Sequence, residues 1–194
     1  SQYVGTPYEI RGRRCKSPLC PSCGGVRAWR LAEDLKKELG RMSHPQMWTL
    51  TINPKRHPDQ QGAFGRLKRK RAVGELVRTL FKKGYLTSRE YFCGMEFQSG
   101  DKSESGEGTG HIHFHLIVDA KKGFIPFQVV HERWQLFAGG GAAPEGPGDP
   151  PMGYVQFEPI DNVDGIGAYV CKYLAKGSKG VPRWFKDYLD EGKK

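Results

Sequence analysis

Residues 111–118 read His-Ile-His-Phe-His-Leu-Ile-Val, and the sheet of this protein is built around their alternation. Side chains of an extended strand point to opposite faces at period two. His111, His113 and His115 therefore share one face, while Ile112, Phe114 and Leu116 share the other. A lone histidine in a strand is an ordinary residue. Three imidazoles on one side of an otherwise apolar strand form a ligand pattern instead, because neutral imidazole is the commonest metal ligand. One side of this strand packs a core and the other offers a site.

Further strands are legible on either side. Met47–Ile52 alternates and stops at Asn53-Pro54, a turn signal. Tyr91–Phe97 carries Glu96 near its end, and Tyr154–Pro159 supplies a fourth run. Helical periodicity marks Val26–Arg41, Ala63–Gly84, Phe127–Ala138, Val163–Lys176 and a short tail from Pro182 to Leu189. Asp161 and Asn162 are cap candidates before the fourth of these, and Gly177 ends it. Ser99–Gly110 is a Gly/Ser/Glu loop, and residues 139–151 form a flexible Gly/Ala/Pro insertion inside one expected domain, 1–194. The expected class is α+β, a central antiparallel sheet flanked by helices.

Composition narrows the partners. A net charge of +10 and a pI near 9.4 point to a polyanion, with nucleic acid favoured over membrane. No apolar run reaches the roughly 18–20 residues needed to cross a bilayer, and nothing near Ser1 resembles a signal peptide. Five cysteines without a secretory signal suit a reducing, cytoplasmic compartment. Within Arg66–Arg71, five of six residues are cationic, which suits a solvated face and phosphate contact equally. Cys15, Cys20 and Cys23 resemble a zinc knuckle over residues 15–25, with a Cys20-Pro-Ser-Cys23 hairpin before Gly24-Gly25. A structural Zn²⁺ needs a fourth ligand, open among His44, His57, Cys93 and an unassigned group. The alternative is three reduced thiols in a loop.

The run Tyr169-Val-Cys-Lys172-Tyr173-Leu-Ala-Lys176 doubles a Tyr-x-x-Lys unit. Residues four apart share a helix face, so Tyr169 and Tyr173 lie together, each with an ammonium three residues on. Phenol has a pKa near 10, and a nearby cation favours the phenolate, the nucleophilic form. Read alone, such a helix packs two aromatics on a sheet with lysines outside. Beside a histidine strand and a basic chain it is a candidate catalytic element.

Together these motifs resemble the HUH endonucleases, in particular the rolling-circle replication initiators of phage and plasmid type with a two-tyrosine motif. Trp48–Asn53 looks like their first motif, His113-Phe114-His115 like their metal motif and Tyr169–Lys176 like their third, in the family's order over residues 15–177. The resemblance implies an RRM-like palm. It implies that His113, His115 and Glu96 hold Mn²⁺ or Mg²⁺, with Glu96 in a Gly94-Met95-Glu96 setting. It implies that Tyr169 attacks a DNA phosphate to give a 5′-phosphotyrosine, that Tyr173 makes a second cut and that Lys172 supports them. Whether Tyr169, Tyr173 or both attack stays open, as does the role of His111, which departs from the minimal pattern. The implied partners are single-stranded DNA at a replication origin and the helicase and polymerase of a bacterial host, with no membrane. Rivals are an HUH-type transposase or relaxase, a non-catalytic zinc-containing nucleic-acid-binding module, and a hydrolase in which water attacks.

Overall fold

A computed structural model describes residues 21–98, 111–139, 151–160, 165 and 181–191. Its elements run α1 (Pro21–Leu39), β1 (Pro45–Ile52), α2 (Gln60–Arg69), α3 (Ala72–Lys82), β2 (Phe92–Gln98), β3 (His111–Asp119), α4 (Phe127–Ala138), β4 (Gly153–Pro159) and α5 (Arg183–Glu191). The strands form one sheet in the order β2-β3-β1-β4, every neighbouring pair antiparallel. The expected α+β class is therefore what the structure has. From β1 to β4 the chain traces β-α-β-β-α-β, the split βαβ topology in which each crossover skips one strand.

That topology decides which face stays open. Crossovers between parallel strands are right-handed. β1 to β2 and β3 to β4 travel in opposite directions across the sheet, but β1 and β3 are also antiparallel. The two reversals cancel, so both crossovers lay their helices on one face. There Trp48, Leu50, Ile52, Ile112, Phe114, Leu116 and Val118 pack with Leu67, Leu76, Val77, Leu80, Val130 and Trp134, all buried. α5 joins the same core, with Phe185 against Phe97 (4.7 Å between ring centroids) and Phe64 (5.5 Å).

α1 lies on the opposite face but covers only one end of it. Leu35 and Leu39 pack on Met47 and Ile117, with Phe92 at the edge of this second, smaller core. The other end of that face carries the imidazoles of β3.

Two expectations need correction. Ala63–Gly84 is not one helix: it breaks at Lys70-Arg71, where Arg71 is left-handed (φ 50°), and α2 begins earlier, at Gln60. At about 100° per residue, a continuous helix would set the stripe of Gln60, Ala63 and Leu67 roughly 150° from that of Ala72, Leu76, Val77 and Leu80. Both stripes are buried, so the chain has to turn between them. The second correction concerns the hairpin expected at Cys20–Cys23. Pro21–Gly25 is the first part of α1, which starts five residues before Val26. Proline suits that start, since its fixed φ fits the first turn and its missing N–H would lack an intrahelical partner there anyway.

Candidate functional site

Strand register assembles the site. One row across the sheet reads Glu96, His113, Thr51, Tyr154, and the next reads Gly94, His115, Thr49, Gln156. Directly opposed residues of antiparallel strands share a face. Glu96, His113, His115, Thr49 and Thr51 therefore stand on the face that the crossover helices leave open. β-Branched threonine fits a pleated, half-buried surface, which suits these residues to the central strand β1.

The hydroxyls hold the rings. Thr49 Oγ1 lies 3.1 Å from His115 Nδ1, and Thr51 Oγ1 lies 3.1 Å from His113 Nδ1. His115 Nε2 is 3.2 Å from Glu96 Oε2. These contacts define two proton arrangements. With Nε2–H donating to Glu96, His115 Nδ1 accepts the Thr49 O–H. With Nδ1–H donating to Thr49, Nε2 presents its lone pair on the carboxylate side. The second arrangement is the ligating one, and an outer hydroxyl that accepts the distal N–H fixes ring orientation as metal-bound histidines require.

The donor set can be tested for fit. Two ligand atoms about 2.1 Å from an octahedral ion stand roughly 3 Å apart in cis positions, and the His115–Glu96 pair is at 3.2 Å. Two imidazoles plus one carboxylate, with open positions for oxygen ligands, suit Mn²⁺ or Mg²⁺. Among the described residues no three His, Cys, Asp or Glu side chains are already gathered tightly around one point. What is in place is the correct pair spacing and oriented rings, with His113 in the same row as Glu96. Burial holds His113 below the ordinary histidine range; Glu96 opposes this, while His115 and His111 add to it. Burial alone lowers His111. Both rings are therefore neutral at neutral pH, and for His113 neutral imidazole is the form that binds metal.

His111 opposes Gln98 at the start of β3, one row beyond Glu96 and His113. Tyr169, Lys172 and Tyr173 lie outside the described residues, as do Cys15 and Cys20; Cys23 falls within the first turns of α1. Of the proposed fourth zinc ligands, His44 is tied through its backbone N–H to Asp119 Oδ1 at 2.7 Å. The half-buried His57 Nδ1 accepts from Arg66 at 3.1 Å. Cys93 faces the core, and burial pushes its thiol up to about 12.

Sequence reasoning passes over several residues. It gives Thr49 and Thr51 no part beyond membership of a motif, although the period-two alternation of Trp48-Thr49-Leu50-Thr51 already places both hydroxyls on one face. Tyr154 is 48% exposed and ends the row that contains His113. Asn53 is buried, donating to the Pro151 carbonyl at 2.6 Å and accepting the Lys55 N–H at 3.0 Å, so it locks the end of β1. No described helix is long and apolar enough to cross a membrane.

Comparison with known protein families gives a match. The family model described as replication-associated protein, ORF2 type, matches residues 45–178, from the first residue of β1 past the tyrosine motif. No curated protein and no solved structure matches the chain.

Proposed function

The chain belongs to the ORF2-type family of replication-associated proteins, and from that membership we propose that it starts replication by nicking and rejoining single-stranded DNA. The supporting observation is the pair of threonine hydroxyls that aim His113 and His115 beside Glu96 on the open face of the sheet.

In this reading His113, His115 and Glu96 hold a divalent cation. When bound, it supplies Lewis-acid polarisation at a non-bridging phosphate oxygen and offsets charge on the leaving 3′-oxygen. Tyr169 provides the nucleophile: its Oη forms a bond to phosphorus as the bond from phosphorus to the 3′-oxygen breaks. The phenol loses its proton and the 3′-oxygen gains one. The products are a 5′-phosphotyrosine and a 3′-hydroxyl that a polymerase extends. Because one phosphodiester replaces another, resealing needs no nucleotide cofactor. Tyr173 performs the second transfer, and Lys172 stabilises the phenolate and the phosphate charge. The neutral state of His113 keeps the ligand set competent at neutral pH.

The test pairs substitution with metal removal. Tyr169→Phe with Tyr173→Phe is expected to abolish covalent adducts on denaturing gels while leaving oligonucleotide binding nearly intact. EDTA should stop cleavage and Mn²⁺ restore it. Undiminished adducts from the double variant would remove the tyrosines from the mechanism, and cleavage in EDTA would remove the cation.

A further inference from the structure

We propose that the groove between α2 and α5 is a second contact site for single-stranded DNA, gripping the strand away from the imidazole face. The inference rests on the DNA-processing role given above but uses none of its catalytic residues.

The groove holds about 370 Å³ and is lined by Arg66, Lys68 and Arg69 on one side and by Trp184 and Tyr188 on the other, with Phe64 at its base. Trp184 and Tyr188 are one helical turn apart on α5 and so line the same side of it. Lys68 Nζ sits 4.4 Å from the centroid of the Tyr188 ring, bringing the cationic and aromatic walls together. No carboxylate lines the groove among the described residues. Asp59, at the start of α2, is occupied as a helix cap, accepting the Gly62 N–H at 2.8 Å. The acidic residues of α5 (Asp187, Asp190 and Glu191) fall at helical positions away from the Trp184 and Tyr188 stripe. A second groove of about 530 Å³ shares Phe64 and Lys68 and continues towards Arg71 and Tyr91. Its one described acid, Glu75, is paired with Arg78.

Cations along a groove with flat aromatic walls are the elements that bind unpaired nucleic acid: phosphates meet the cations and exposed bases stack on the rings. A duplex keeps its bases stacked on each other and offers only phosphates, so the aromatic wall favours a single strand. The groove is also placed for a shared substrate. On β2 successive side chains alternate, so Glu96 faces His113 while its neighbour Phe97 packs on Trp184 (5.6 Å between ring centroids). The groove wall and the imidazole site are thus two sides of the same strand end.

Binding can be read without cleavage. A fluorescent oligothymidylate of about 20 nucleotides is titrated by anisotropy against the full chain carrying Tyr169→Phe and Tyr173→Phe, with and without Lys68→Gln plus Arg69→Gln. These two cations are exposed, so their loss leaves the fold alone. Affinity should fall, and the slope of log affinity against log salt should shrink by ~0.7 for each lost phosphate contact. Trp184→Leu should weaken binding roughly ten- to hundred-fold; since Trp184 also packs on Phe97, circular dichroism must first show that variant folded. Unchanged affinity and salt slope in the Lys68 and Arg69 variant would overturn the proposal. So would equal affinity for a duplex of the same length, which would make the groove a general phosphate binder. Absence of covalent adducts from the unsubstituted chain would count against the nicking reading alone, because this binding comparison never depends on cleavage.

Discussion

Replacing Thr49 by valine removes one hydroxyl and keeps the β-branched shape that β1 requires. Thr49 and His115 are 8% and 7% exposed, so no water takes the place of the missing oxygen. His115 Nδ1 then loses its 3.1 Å partner. Leaving a buried donor unmet costs about 1–3 kcal/mol. That cost falls on the ligating arrangement, in which Nδ1 carries the proton, and at 1.4 kcal/mol per tenfold it corresponds to roughly 5- to 150-fold in Mn²⁺ affinity. Thr51→Val removes the same bond from His113 at an equal distance, but Thr51 and His113 are only partly buried, so solvent replaces part of the loss. The expected order is therefore Thr49→Val well above Thr51→Val in weakening, with little change in secondary structure. Titration calorimetry with Mn²⁺ on both variants, and on His115→Ala as the reference, reads this directly. Wild-type affinity in both threonine variants, alongside lost binding in His115→Ala, would refute the orienting role. Wild-type affinity in His115→Ala as well would refute the metal site itself.

Other outcomes follow from the same geometry. A Cβ at Gly153 would come 2.7 Å from Trp134 Nε1, and would also clash with the Thr51 carbonyl to which that N–H donates, so Gly153→Ala should cost about 1–3 kcal/mol. Thermal melting checks this, at roughly 2–4 °C per kcal/mol for a chain of this size; an unchanged melting point would show that β4 shifts freely. Burial first, then Arg66 and Arg56, lower the pKa of His57. Folding therefore favours the neutral ring, and that contribution is complete above pH ~6.5 and lost as pH falls through the lowered native value. Wild-type melting temperature should accordingly drop more than that of His57→Gln between about pH 7.5 and 5, and parallel curves would contradict the shift. With its thiol pushed up to about 12, Cys93 should resist iodoacetamide in the folded protein. Rapid labelling of its peptide would place it outside the core.

Much of the sheet is legible in the sequence because its signals are local. Period-two alternation in 47–52 and 111–118 identifies the central strands and sorts their faces before any pairing is known, and the Phe127–Ala138 helix has the bounds its periodicity suggests. The break at Arg71 is written in the sequence as a change of phase between Leu67 and Ala72, but counting apolar residues without tracking their angle hides it. The start of α1 is missed because Cys20-Pro-Ser-Cys23 carries a metal-loop signal and a helix-start signal in the same letters. The threonine contacts are hidden for a different reason. They depend on which strands are neighbours, and β1 pairs with β3 across a separation of more than sixty residues. The pairing of Glu96 with His113 is nearer in sequence and is expected as a shared site, although its partner by hydrogen bond is the diagonal His115.

Chain topology and site chemistry are linked by one requirement. A cation-binding cluster needs a face kept clear of apolar packing, but imidazoles oriented well enough to ligate need rigid neighbours. The split βαβ arrangement meets both needs. Its crossover helices stack on a single face and fix β1 and β3 at the centre of the sheet, while the other face is covered only at the Met47 and Ile117 end, by α1. The histidines stand on β3 and the orienting threonines on β1, the two strands with neighbours on both edges, and Glu96 comes from an outer strand where a side chain has room to adjust. Positions held most tightly therefore carry the groups whose angle matters. The carboxylate, which ligates through either oxygen and tolerates a wider range of approach, sits where the sheet is freer.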